Sequence, residues 1–369
     1  MPADVLLPAL DPTPIPGPAW LFHALWLVTF AVHIVGVNVV LGSSVLGTIA
    51  SLDPDRAFGR GVARFFAEVN TWAISLTITF GIAPFLFAQV LYGRLLYSAT
   101  VIVAPAWLGL LLFLMAAYYL TYAAKYRLRA GKGAALSFAL SALLFLGVAA
   151  IQVVVHLVSV QPGRWEGVLA APWTALSDRS FLPRFLHFVL AGVTLAGILL
   201  AWVAVRRVPA EAARAAASAR ASFGLKIALL ATALQLVVGL WLTVSVPREV
   251  LLGLMRGGAA TMVPLTVGIA AGFGLLVFLA RARDPIADRS SVRRSLELFG
   301  LAMVLMLVTR HQLRDLYIAA EGAHATAATT EHWGVFAIFI GCFVLCAALV
   351  VVALVKSAKD RPGPGEATA

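Results

Sequence analysis

Residues Ala134–Val160 read AALSFALSALLFLGVAAIQVVVHLVSV, 27 residues without a single Lys, Arg, Asp or Glu. At 1.5 Å per residue a helix of this length spans about 40 Å, more than the roughly 30 Å hydrocarbon core of a bilayer. Inside that core backbone N–H and C=O groups find no water, so only helices and closed barrels cross it. Barrel strands would be about 10 residues long and alternate apolar with polar, which this run does not do. It reads as a transmembrane helix, and near its end it carries His156.

The pattern recurs outward from this run. Comparable stretches lie at Trp20–Ala50, Val69–Tyr97, Val101–Tyr122, Leu182–Val205, Phe223–Val246, Met262–Ala280, Leu296–Thr309 and Trp333–Val355, predicting about nine spans. The eighth is short as drawn and is expected to continue through the more polar Arg310–Tyr317. A hydrophobic share of 61%, a charged share of 12% and a mean hydropathy of +0.94 lie far outside the balance of soluble domains. The fold class is therefore all-α, a polytopic membrane bundle over residues 19–355. Residues 1–18 precede it, and the tail Lys356–Ala369, with Pro362, Gly363, Pro364 and Gly365, is expected to be disordered. Neither Gln161–Phe181 nor Arg206–Ser222, the largest expected loops, is long enough for a soluble domain, so any chemistry sits among the helices or at their ends.

The net charge of +11 invites a nucleic-acid reading until the cations are placed. Of 28 Lys and Arg, 20 fall in the connections after spans one, three, five and seven and in the tail, among them Arg56, Arg60, Lys125, Arg214, Arg281 and Arg294. The positive-inside rule then predicts those loops and the C-terminus to be cytoplasmic and the N-terminus external. No basic cluster is interleaved with stacking aromatics in a soluble segment, so no nucleic-acid partner is expected. The segment up to Pro18 lacks the charged start of a cleavable signal, so the first helix is expected to be retained. Cys342 and Cys346, one turn apart in the last span, form no disulfide framework and no haem-attachment motif; they read as small core residues.

Titratable groups are costly in hydrocarbon, and here the intramembrane ones are almost all histidines. His23 opens the first span, His156 ends the fourth, His187 opens the fifth, and His311 lies on the extension of the eighth. With the predicted topology all four share one depth, near the external face. Neutral imidazole is the usual axial ligand of a b haem, and a membrane haem takes such ligands from separate helices. Four at a common depth point to at least one haem; the alternative for each is a hydrogen-bonded packing role. His33, ten residues past His23, stands about 15 Å deeper and cannot share its iron. It would serve a second cofactor or bond a polar neighbour such as Gln89, Gln152 or Gln235.

Haem propionates need cations at the membrane edge. Arg184, one turn before His187, is the first candidate, followed by Arg164, Arg179, Arg310 and Arg314. The alternative role for these is interfacial anchoring with Trp165, Trp173 and Trp333. The spans hold no carboxylate but Glu297, so no buried acid pair or Asp/Glu relay is expected. A secondary transporter would predict mid-membrane polar convergence and internal repeats, neither of which is evident.

At this point the sequence resembles the first subunit of cytochrome bd quinol oxidase. Nine spans with an external N-terminus match that topology. Leu21-Phe22-His23 is similar to its haem-ligand motif; Arg184-Phe185-Leu186-His187 resembles its K-F-x-H element; Gln161-Pro162-Gly163 resembles its Q-N-P-x-G stretch. The resemblance implies that His187 is an axial ligand of a low-spin haem b and that Arg184 meets a propionate. The expected protein is a divergent relative of that subunit: a multi-pass haem-binding protein of a prokaryotic plasma membrane, among other membrane subunits, passing electrons between the quinone pool and an external redox partner of the cytochrome c type. The departures are equally specific: Leu108–Tyr122 lacks the family's two glutamates, Pro247–Thr261 is a short turn where the family has a long quinol-binding loop, and the G-R-Q-P-W element is missing. Oxygen reduction by the family's route is therefore the secondary expectation.

Overall fold

A computed structural model describes residues 14–206, 211–323 and 329–359. The chain is built of helices: α1 Ala19–Ser51, α2 Arg56–Ile102, α3 Ala104–Arg129, α4 Ala135–Val160, α5 Trp165–Ala170, α6 Phe181–Arg206, α7 Glu211–Ser245, α8 Arg248–Arg256, α9 Ala259–Arg281, α10 Arg289–Ala320 and α11 Trp333–Lys359. Eight of them are long and apolar enough to cross a membrane, among the described residues. The remaining long helix is α10, whose 32 residues span about 48 Å. It continues unbroken from the apolar Leu296–Thr309 through Arg310–Tyr317, as the sequence suggests.

Several boundaries differ from expectation for physical reasons. The polar stretch before Phe223 is not a loop from Glu211 on: its alanines and arginines are strong helix formers and extend α7 at its start. Pro247–Thr261 is more than a turn, because it contains α8, which buries Val250 and Leu254 against the bundle. The last helix runs to Lys359, and residues 360–369 of the expected tail lie outside the described residues, as do residues 1–13 and His324. Cys342 and Cys346 are free and exposed rather than core residues, like most of the described side chains of α11.

Helix α1 is the axis of one half, packed along α2, α4 and α6; α6 pairs with α7, and α9 with α10. Lipid is as apolar as leucine, so such helices associate by close packing and small residues more than by the hydrophobic effect. Gly42 of α1 meets Gly192 of α6, and Gly197 of α6 meets Gly224 of α7, so closely that a Cβ on Gly42, Gly197 or Gly224 would overlap the facing backbone carbonyl. The outward surface is correspondingly apolar, with Val28, Leu108, Leu112, Val237, Val244 and Ile338 exposed.

The antiparallel packing brings together the start of α1, the late part of α2, the end of α4, the start of α6 and the end of α10. One core cluster forms there, around Trp26, Tyr92, Leu95, Val155, Trp165 and Tyr317. Tyr92 leaves helical geometry (φ −132°, ψ 22°), so α2 is two helical segments joined at that residue. The connection between α4 and α6 folds over this end of the bundle. Trp165, expected at the interface, is buried in it and donates its indole N–H to the Val158 carbonyl, while Trp173 and Trp333 are exposed.

Candidate functional site

The end of the bundle just described holds His23, His156, His187 and His311. The His23 and His311 rings lie 5.0 Å apart, centroid to centroid. Trp26 flanks His311 at 5.2 Å. The buried Tyr92 hydroxyl donates to Asp315 Oδ1 at 3.0 Å and stands 3.4 Å from His311 Nδ1. Asp315 Oδ2 is 3.7 Å from His311 Nε2, one turn back along α10. Tyr92 carries no sequence signature; the i, i+4 spacing of His311 and Asp315 is the one hint that they act together.

Three arginines converge on the same place. Arg314 lies over the rings of Trp26 and Tyr92, 5.0 and 4.7 Å from their centroids, and Arg310 over Phe30 at 4.9 Å. Arg310 is within electrostatic reach of both Arg314 and Arg184. These side chains are half-buried, yet Arg184 Nε and Nη2, Arg310 Nη1 and Arg314 Nε are shut off from solvent with no hydrogen-bond partner among the described residues. Arg314 also borders a small cavity of about 20 Å³ with Tyr92, Ser159, Leu95, Leu96 and Ile318. A buried ion without a partner costs several kcal/mol; Asp315, half-exposed, faces Arg314, and Asp178, already paired with Arg164, reaches Arg184, so the three guanidiniums outnumber the carboxylates near them.

Arg164 differs from these three, because the structure gives it a carboxylate of its own. It pairs with Asp178 and bonds the Thr174 carbonyl at 3.1 Å. Asp178 also accepts from the Gln161 amide at 3.1 Å and from the Ser180 N–H and hydroxyl at 2.8 and 2.7 Å. Burial alone would raise this carboxyl; the Ser180 donors, Gln161 and Arg164 outweigh it and hold the group below its ordinary range. With Glu321 accepting from the Gly163 N–H at 2.9 Å, these bonds fasten the α4–α6 connection over the site.

The four imidazoles are not equivalent. His156 is buried, and its Nδ1 lies 3.5 Å from Arg314 Nη2. A nitrogen that accepts from a guanidinium leaves the ring proton on Nε2, the arrangement least suited to metal ligation. His187 Nε2 is 3.5 Å from the Gln235 amide, its Nδ1 is buried without a partner, and Gly239 of α7 faces the ring, where a Cβ would fall 3.3 Å from Cε1. His23 Nδ1 is likewise buried and unpartnered. Two imidazoles holding one iron between them stand roughly 6 Å apart at their centroids, given metal–nitrogen distances of about 2 Å. His23 and His311, at 5.0 Å, are closer than that and would have to part to share an iron. His33 lies apart from this cluster on α1, its Nδ1 3.0 Å from the Thr77 carbonyl rather than bonded to a glutamine.

Among the described residues no group of three or more His, Cys, Asp and Glu could hold a bare metal ion. Fold and site together define the class: a polytopic α-helical membrane protein with imidazoles and guanidiniums gathered between its helices at one end. The fold is cytochrome bd-like. A chain in the structure of bd oxidase from Geobacillus thermodenitrificans matches with a TM-score of 0.68 over 95% of this chain and 100% of that one, at 13% sequence identity. At that identity the likeness establishes the fold. No family model and no curated protein sequence matches the chain.

Proposed function

We propose that this protein is a haem b-binding electron-transfer subunit of a prokaryotic plasma membrane, passing electrons between the quinone pool and an external redox partner such as a cytochrome c. The observation that carries the reading is the set of unpartnered guanidinium nitrogens of Arg184, Arg310 and Arg314 beside unpartnered imidazole nitrogens. A b haem has the matching chemistry: an iron that takes neutral imidazole, and two propionate carboxylates that take arginine. Bound, it would supply one-electron chemistry that the side chains themselves lack.

His187 is the first candidate for axial ligand, being buried, held by Gln235 and faced by Gly239. Arg184, one turn earlier on α6, would meet a propionate, with Arg310 and Arg314 completing the positive edge. His23 and His311 are the next candidates, and His156 orients Arg314. The charge pattern of the loops supports placing this end of the bundle at the external face, where a soluble partner has access. Asp178, by occupying Arg164, closes the α4–α6 connection over the site and excludes water from it.

The test is His187→Ala in detergent-purified, monodisperse protein from haem-replete cells. Loss of a low-spin haem signal in low-temperature EPR, with a lowered haem-to-protein ratio, is the expected result. Full retention of that signal would rule out His187 as ligand.

A further inference from the structure

Helix α3 starts beside the histidine-bearing end, where Val103 and Trp107 join the core cluster around Trp165, and runs away from it to a basic turn. Residues 123–134 carry Lys125, Arg127, Arg129 and Lys132 and no carboxylate. Arg127 Nε donates to the Gly133 carbonyl at 2.7 Å, and Arg129 stands 3.9 Å from Glu68, both side chains of that pair being more than half exposed. Lys125 has no such counter-charge. Its Nζ donates to the hydroxyl of the buried Thr71 at 3.1 Å and lies 5.9 Å from the centre of the Tyr122 ring, and no carboxylate pairs with it among the described residues.

A file of tyrosines leads from Lys125 towards the middle of the membrane. Tyr118, Tyr122 and Tyr126 recur at every fourth residue, with neighbouring ring centroids 5.0 and 6.2 Å apart. The Tyr118 hydroxyl is 3.3 Å from that of the exposed Ser75 on α2 and donates to Tyr122 at 3.4 Å, which leaves the Tyr122 O–H with no acceptor among the described residues. An ammonium has three N–H groups, and Thr71 takes one of them. Unmet donors therefore gather at Lys125 and Tyr122, at the edge of a medium where each unmet donor costs free energy.

The spacing suits a molecule with acceptors at one end and chains at the other. Lys125 lies three residues past Tyr122 and seven past Tyr118, rises of about 4.5 and 10.5 Å. The headgroup layer of one leaflet is roughly 5–7 Å thick. A phosphate at Lys125 thus sets glycerol ester carbonyls at the level of Tyr122 and the first methylenes at that of Tyr118. Met115 and Leu111, seven and eleven residues before Tyr122 and so on its face of α3, are exposed apolar side chains along which acyl chains can lie.

We propose that this surface of α3 is a binding site for an anionic phospholipid, whose phosphodiester accepts from Lys125 and whose ester carbonyl accepts from Tyr122. The four cations of the turn favour a headgroup with net negative charge over a zwitterionic one. The site is separate from the histidine cluster and does not depend on the haem-binding reading.

The experiment uses the full chain, delipidated in detergent and titrated with phosphatidylglycerol or with phosphatidylcholine of the same acyl chains, and read by native mass spectrometry and thermal unfolding. Phosphatidylglycerol binds more tightly and raises the unfolding midpoint more. Lys125→Ala weakens phosphatidylglycerol binding by about five- to tenfold and narrows the preference, whereas Lys125→Arg keeps both. Tyr122→Phe, which keeps the ring, weakens the two lipids alike, because both carry the ester carbonyl. Equal binding of the two lipids by the wild type, or a preference unchanged in Lys125→Ala, would overturn the proposal. Equal stabilisation by inorganic phosphate alone would overturn it in favour of a free-anion site. Crosslinking to a polypeptide in native membranes, from a photoreactive phenylalanine analogue substituted for the exposed Tyr119, would overturn it in favour of a subunit interface.

Discussion

Replacing Arg310 with leucine has opposite expected effects on the loaded and the haem-free protein. In the haem-free protein the guanidinium repels Arg314 and Arg184, and its Nη1 has no partner. Its compensating contact is the face of Phe30, worth about 0.5–2 kcal/mol. Replacing a half-buried, poorly paired ion by an apolar side chain of similar volume recovers part of its desolvation cost, so a net gain of about 1–3 kcal/mol is expected. In the loaded protein the same change removes a charge-assisted hydrogen bond of about 1.5–3 kcal/mol, roughly a 10- to 100-fold loss in haem retention. The assay is thermal unfolding in detergent of Arg310→Leu and wild type, each produced with and without haem supply, together with the haem off-rate to an acceptor. Equal destabilisation of both forms would refute the reasoning, because it would mean that Arg310 is already fully satisfied by the protein.

Two further expectations concern the scaffold. Asp178 is held ionised in the fold, so its contribution is complete above the unfolded carboxyl's ordinary value near pH 4 and is lost as pH falls through the lower folded value. Asp178→Asn should therefore cost about 1–3 kcal/mol at pH 7 and progressively less below pH 4, measured as the difference in unfolding midpoint across that range. A penalty that persists at pH 3 would contradict it. Gly197→Val should drive α6 from α7 at a cost of about 1–3 kcal/mol, read by thermal unfolding in detergent, whereas the same change at Gly300, which meets nothing within 4 Å, should cost little from contact alone.

What the sequence made legible follows from how strongly lipid constrains it. The apolar spans stand out because a helix in hydrocarbon admits few charges, and α10 was legible from its apolar Leu296–Thr309, from which the helix continues through Arg310 and Arg314. The shared position of His23, His156, His187 and His311 follows from span order alone. Contacts across helices did not show. Tyr92 reaches Asp315 from a break in α2 whose one mark in the sequence is the glycine that follows it, Gly93. The partner of His33 is a main-chain carbonyl, which every residue possesses, so no side-chain pattern announces it. Likewise α8 was hidden within a stretch whose glycines and proline read as a turn.

The central claim is that this bundle holds haem, and it is tested most directly by a dithionite-reduced minus oxidised spectrum of the purified wild-type protein with haemochrome quantification. An α band of b-type haem at no less than one haem per polypeptide is the expected result. A colourless preparation from haem-replete cells, folded and monodisperse, would contradict it.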